Sequence, residues 1–197
     1  MRAPLAAILC AAALGASCFV VAAAEPGPAG APPRGGDHRT SLTVRDLMDA
    51  IVDPSADVVW GAVGAVADQD GLRDLAPKTP EEWLEVRRAA VRLIEAANLL
   101  MMSPREAAPA GAVSAAPGVE PEPAEITALI GSERAGFDGF AMALQAVAVE
   151  ALRAIETTDK DRLIEAGGAM EEVCESCHQT FWYPHAAARA ADGGRRQ

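Results

Sequence analysis

Apolar residues recur every three or four positions along four stretches of the chain, with polar residues between them. This spacing predicts amphipathic α-helices. The first stretch begins at Thr43, a predicted N-cap with Asp46 at the third helical position, and Pro54 is expected to kink or restart it. Its apolar face consists of Val44, Met48, Ile51, Val58, Ala62 and Val66.

The second stretch has the clearest start signal in the chain. Thr79 is predicted to cap it, Pro80 to take the first helical position, and Glu82 to complete a capping box. The helix is expected to end before Ser103 and Pro104, because the residue preceding a proline is pushed away from helical geometry. Its apolar face consists of Trp83, Ala90, Ile94, Ala97 and Met101.

Two further helices complete the predicted fold. After a short apolar turn at 126–130, a third helix is expected from Ser132 and a fourth from Thr158 and Asp161. No stretch alternates with the period of two that a half-buried strand requires. Short turns join the helices except at residues 104–123, a long loop expected to be flexible or functional. The predicted fold class is therefore all-α, an antiparallel four-helix bundle. The third face consists of Phe137, Phe140, Leu144, Val147, Ala151 and Ile155, and the fourth of Leu163, Ala166, Met170, Val173 and Cys177.

The N-terminus has the features of an export signal. Arg2 precedes an unbroken apolar run, and Ala22 to Ala24 offer a cleavage site before Glu25. We expect a cleaved signal peptide at 1–24, although Cys18 leaves a lipoprotein signal as the rival interpretation. Residues 25–41, rich in Pro and Gly, are predicted to form a disordered leader. The bundle domain is predicted at 42–186 and a flexible tail at 187–197, and the expected location is the periplasm.

The chain is acidic, with a formal net charge of −11. This charge argues against nucleic acid and anionic lipid as partners and permits basic protein partners. Beyond the signal, no segment is expected to be long and apolar enough to span a membrane.

Cys174 and Cys177 are the cysteines that remain after signal cleavage, and both lie in the pentapeptide Cys-Glu-Ser-Cys-His that ends at His178. This is the C-x-x-C-H pattern of covalent haem attachment. On a helix, positions i, i+3 and i+4 share a face, so two thiols and one imidazole can reach a single haem. A thioredoxin-like pair would stand at the start of a helix, and a zinc site would need a fourth ligand beyond His185. His38, the remaining histidine, falls in the predicted leader.

The motif resembles that of class II cytochromes c, the cytochrome c-prime family and its low-spin relatives. The segments CESCHQTFWYP and RDLM carry the resemblance, which covers residues 43–184. It implies one haem c, with Cys174 and Cys177 as thioether anchors and His178 as the proximal iron ligand. Trp182 follows Phe181 where the family commonly has a basic residue, which puts a proximal role for that charge in doubt.

The residue opposite His178 determines the function, because a strong sixth ligand makes an electron carrier whereas an open site admits small gases. Met48 lies about one turn into the first helix, and the resemblance favours it as the sixth ligand. Met101 and Met102 are the alternatives, and core packing is the alternative role for any of these methionines. Arg45 is a candidate partner for a haem propionate. Phe181, Trp182 and Tyr183 are expected to close the edge of the haem pocket.

The expected function is that of a periplasmic one-electron carrier that turns over no substrate, with His178 and Met48 as axial ligands and unidentified redox proteins as partners. The alternative is a five-coordinate haem protein that binds nitric oxide or carbon monoxide. A peroxidase is a weaker third interpretation, since no distal histidine is identified. The resemblance also makes a homodimer a candidate assembly.

Overall fold

The computed structural model of the chain describes residues 40–69 and 71–184. The predicted signal peptide, the leader up to residue 39, the tail, His38 and His185 lie outside the described residues. Most of the described chain is helical, and one small antiparallel sheet accompanies the helices.

The first helical region contains a change of helix type. Helix α1, Val44–Leu47, is followed by a π-helical turn, Met48–Val52, and then by helix α2, Asp53–Gly61. Thr43 and Asp46 form the predicted capping box. Pro54, at the start of α2, has no backbone N–H to donate, and the N–H of Asp53 instead donates to the carbonyl of Met48, five residues back. The predicted interruption at Pro54 is thus confirmed. It takes the form of a wider, π-helical turn just before the proline.

A β-hairpin follows α2 and corrects the all-α prediction. Strand β1, Gly64–Asp68, pairs with β2, Gly71–Leu75, in antiparallel register. Val66, predicted to lie on the first helix, is therefore in a strand. Gly64 and Gly71 adopt φ values of 135° and 112°, a region that other residues rarely enter. Where burial is described, the strand side chains are exposed or half-buried on both faces, so the hairpin lacks the alternating pattern by which strands are recognised.

Helix α3, Pro80–Met101, has the predicted capping box of Thr79 and Glu82 and ends as expected before Ser103. The residues after it form an ordered connection rather than a loose loop. The N–H groups of Val44 and Arg45 donate to the carbonyls of Glu106 and Ala107, both at 2.9 Å. These bonds satisfy N–H groups that the first turn of a helix leaves without a partner. The connection therefore holds the start of α1.

The last three helices are α4, Pro123–Ser132, α5, Arg134–Glu156, and α6, Lys160–Phe181. Helix α4 replaces the short apolar turn predicted there and shortens the predicted 104–123 loop by one residue. Asp159, rather than Thr158, caps α6, since its side chain accepts from the N–H of Arg162. Thr158 adopts a φ of 52°. Helix α5 packs against α3 on one side and α6 on the other.

Helix α5 also bears on the membrane prediction. Among the described residues, Arg134–Glu156 is a helix long and apolar enough to cross a membrane by length and composition. The expectation that no segment meets these criteria is therefore wrong. The core helix of a soluble protein also meets these criteria, but such a helix is mostly buried, whereas 28% of the apolar window of α5 is buried. Helix α5 contacts α3 and α6.

Candidate functional site

The C-x-x-C-H residues form one stripe near the end of α6. Cys174, Cys177 and His178 are all half-buried, and both thiols are free. Their positions at i, i+3 and i+4 place them on the same face of the helix. The predicted position of the motif, at the far end of the last helix, is confirmed.

This stripe lines a cavity of about 670 Å³ between the helices. The wall opposite α6 is apolar, built from Leu100 of α3 and from Phe137, Phe140, Ala141 and Leu144 of α5. Met48, Val52 and Ala56 contribute from the first helical region. The cavity thus brings two thiols, one imidazole and one thioether to the same apolar space.

The methionines differ in whether they line this cavity. Met48 is half-buried and lines the cavity with His178, whereas Met101 and Met102 are half-buried but are absent from its lining. Met142 is 53% exposed on α5, and Met170 is fully buried within α6. Of the methionines considered as ligands, Met48 is the one that shares the cavity with the C-x-x-C-H stripe.

A second cavity, of about 260 Å³, adjoins the first and shares Met48, Asp53, Phe137, Cys177 and His178 with it. Its remaining lining includes the other predicted site residues, Arg45, Phe181 and Tyr183, together with Val44 and Trp182. The structure therefore brings all the predicted site residues to one end of the molecule.

Aromatic contacts fix the end of α6. The Phe181 ring is 1% exposed and meets the rings of Phe137 and Phe140 edge to face, with centroids 5.4 and 6.2 Å apart. Such pairs are favoured by ring electrostatics as well as by burial. The Tyr183 hydroxyl donates to a carboxylate oxygen of Glu175 at 2.7 Å. The ring contacts hold the end of α6 against α5, and the Tyr183 hydrogen bond holds the segment after α6 against that helix.

Burial keeps both thiols neutral. It raises the pKa of Cys177 to about 12, with the neighbouring Cys174 adding to the effect. It also raises the pKa of Cys174, to which the charge of Asp53 contributes. A reactive redox pair requires a thiol with a lowered pKa at the start of a helix. Here both thiol pKa values are raised and the motif lies near the end of its helix, which argues against the thioredoxin-like alternative.

Asp53 is a charged lining residue that sequence reasoning missed. It faces the cavity because the π-helical turn brings residues five apart, Met48 and Asp53, to the same side. Burial raises the pKa of this carboxyl, the charge of His178 lowers it, and Asp57 and Asp49 raise it further. Pro54, the next residue in the chain, was the sequence feature that could have indicated the wider turn. Glu171 and Glu172 line the same cavity and were also missed.

The described residues contain no group of three or more His, Cys, Asp or Glu side chains that could hold a metal ion. A haem iron does not require such a group, since the porphyrin supplies four of its ligands. Comparison of the chain with protein-family models, with curated protein sequences and with solved structures finds no match. The similarity to class II cytochromes therefore depends on the residues quoted above.

Proposed function

We propose that this protein is a periplasmic c-type cytochrome with one haem, acting as a one-electron carrier. Cys174 and Cys177 would hold the haem through thioether bonds, and His178 and Met48 would coordinate its iron. In this proposal, the first helical region, α3, α5 and α6 are the four helices of an antiparallel bundle that encloses the haem.

One observation carries the proposal: the C-x-x-C-H stripe and the Met48 thioether line the same apolar cavity. Its volume, about 670 Å³, lies within the range of about 300 to 1,000 Å³ that is usual for ligand sites. The apolar lining suits the faces of a porphyrin, and the raised pKa values of both thiols oppose metal binding by thiolates. The residues present therefore fit a haem.

The protein's own residues have distinct tasks in this proposal. Bound haem supplies the change between ferric and ferrous iron, and no substrate is turned over. Phe137, Phe140 and Leu144 give the haem an apolar wall, which with ligand identity sets the reduction potential. Arg45 lines the smaller cavity with an exposed side chain, where it can pair with a propionate.

The test is an absorption spectrum of the full chain, expressed with haem-maturation machinery, in oxidised and reduced form with and without carbon monoxide. We expect covalent haem and low-spin spectra that carbon monoxide does not change. Met48→Ala should become high-spin and bind carbon monoxide, because it removes the sixth ligand. Met142→Ala, at an exposed position outside the cavity, is the matched control and should keep the wild-type spectrum.

The other outcomes are equally informative. A wild type that is already high-spin and binds carbon monoxide overturns the Met48 assignment and supports the gas-binding alternative. Cys174→Ser with Cys177→Ser should abolish covalent attachment. A wild type that carries no covalent haem overturns both the electron-carrier and the gas-binding functions.

A further inference from the structure

The large cavity is open to solvent along part of its described lining. The exposed residues of its lining all belong to α2 or α6, whereas those from α3 and α5 are buried or half-buried. The opening therefore lies between α2 and α6. Its exposed residues are Asp53, Trp60, Gly168, Glu171, Glu172 and Glu175.

The charge around this opening is of one sign. Four of its six exposed residues are carboxylates, and no lysine or arginine is found in the described lining of the large cavity. On α6, Gly168, Glu171, Glu172 and Glu175 are spaced as one helical stripe. Arg45 lines the smaller cavity and not the large one. The opening thus presents a negative field to an approaching molecule.

Trp60 provides an aromatic surface within the acidic opening. Its side chain lines the cavity, the residue is 37% exposed, and its indole N–H donates to the carbonyl of Gly167 at 3.0 Å. A β-carbon at Gly167 would lie 3.3 Å from the ring, so the glycine permits this close approach of α2 to α6. The ring is therefore held in a fixed position between the cavity and solvent. Fixed aromatic side chains are favoured at the centres of protein interfaces.

We propose that this opening, defined by Asp53, Trp60, Glu171, Glu172 and Glu175, is the docking surface for a lysine- or arginine-rich electron-transfer protein. The inference rests on the proposed function, since it concerns the partner with which the haem exchanges one electron. Iron in one protein is oxidised from ferrous to ferric, and iron in the other is reduced. Charge complementarity selects a basic partner, and it opposes docking of a second copy of this chain, whose formal net charge is −11.

The experiment uses a lysine-rich mitochondrial cytochrome c as the probe. Its binding to the full chain is measured by isothermal titration, and its electron-transfer rate with haem-loaded protein by stopped flow. At about 10 mM salt the Debye length is about 30 Å, so charge steering acts over a long range. We expect both binding and rate to fall as salt increases.

Glu171→Gln with Glu172→Gln should weaken binding and lower the low-salt rate about threefold to tenfold, because two charges leave the opening. The matched control, Glu81→Gln with Glu95→Gln, removes the same charge from exposed sites on α3 outside the cavity. It should change the rate by less than about twofold. Trp60→Ala should weaken binding further, including at high salt, because the indole contact is not screened.

Equal slowing by the two pairs, or none by either, would overturn the docking surface, as would faster reaction with an acidic ferredoxin or self-association through these residues. Isothermal titration measures binding of the probe without electron transfer, so it tests the docking surface separately from the proposed function. If the chain binds the probe through Glu171 and Glu172 but carries no covalent haem, the proposed function fails and the docking surface stands. If the chain is a low-spin haem protein and the Glu171 and Glu172 substitutions change neither binding nor rate, the docking surface fails and the proposed function stands.

Discussion

Helix α5 packs in two different ways along its length. In its second half, Ala148, Ala151 and Ala154 are fully enclosed, and α3 contributes enclosed alanines from its own middle, Ala89, Ala90, Ala96 and Ala97. In its first half, Phe137, Phe140 and Leu144 surround a cavity of about 670 Å³. Small side chains allow adjacent helices to pack closely, whereas the rings of Phe137 and Phe140 meet Phe181 and leave a space beside them.

This difference bears on what the cavity is for. An apolar space loses the dispersion contacts of its walls, at a cost that grows with its volume. The alanine-rich half shows that this helix can pack without a gap. The cavity half is therefore best understood as a site shaped around an occupant, in agreement with the haem proposed above.

The largest expected effect compares an alanine from each half. Ala151→Leu should lower the free energy of unfolding by about 1 to 3 kcal/mol without altering the haem content per chain, because its site has no room for a larger side chain. Ala141→Leu projects into the cavity and should reduce haem content instead. Urea unfolding and a pyridine haemochrome assay measure the two quantities. Loss of haem in Ala151→Leu but not in Ala141→Leu would contradict the division of α5 into a packed half and a cavity half.

The two capping boxes provide a smaller test of the same comparison. Thr79→Ala and Thr43→Ala should each cost about 1 kcal/mol, since each removes the acceptor for a first-turn N–H. Because α1 leads directly to Met48, only Thr43→Ala should also increase the high-spin fraction of the spectrum on warming. Thermal melts followed in the far ultraviolet and at the Soret band separate these effects. A spectral change in Thr79→Ala would mean that the two regions are coupled.

The smallest effect concerns Tyr183, the chain's single tyrosine. Burial, then the hydrogen bond to Glu175, raise its pKa to about 12, compared with about 10 in an unfolded chain. Its contribution to stability is therefore present below pH of about 10 and lost as pH rises through 12. Glu175→Gln should lower the alkaline midpoint of tyrosine absorbance only partly, because burial is the larger cause. A midpoint unchanged by this substitution would show that the Glu175 hydrogen bond is not formed.

The sequence predicts the features that depend on local chemistry. The caps at Thr43 and Thr79, the interruption at Pro54 and the end of α3 before Ser103 follow from short-range rules, and the structure confirms them. The grouping of Cys174, Cys177 and His178 on one face follows from helical spacing. Met48, which the resemblance favours, lies outside the reach of these short-range rules, and it lines the same cavity.

The features that sequence reasoning missed depend on backbone geometry or on exposure. The hairpin at Gly64–Asp68 and Gly71–Leu75 leaves no buried alternation to detect. Helix α4 is only ten residues long, and its apolar residues do not extend far enough to establish a period. Asp53 enters the cavity through a turn type that a search for 3.6-residue periodicity does not consider.

The π-helical turn at Met48–Val52 also has a consequence for sequence alignment. An α-helix advances about 100° per residue, so one additional residue in a turn changes the phase between the segments on either side. An alignment that treats residues 44–61 as one uninterrupted α-helix will place Met48 out of phase with Ala56 and Trp60. Relatives that lack the turn should align with this chain only through a one-residue gap between the methionine and the proline.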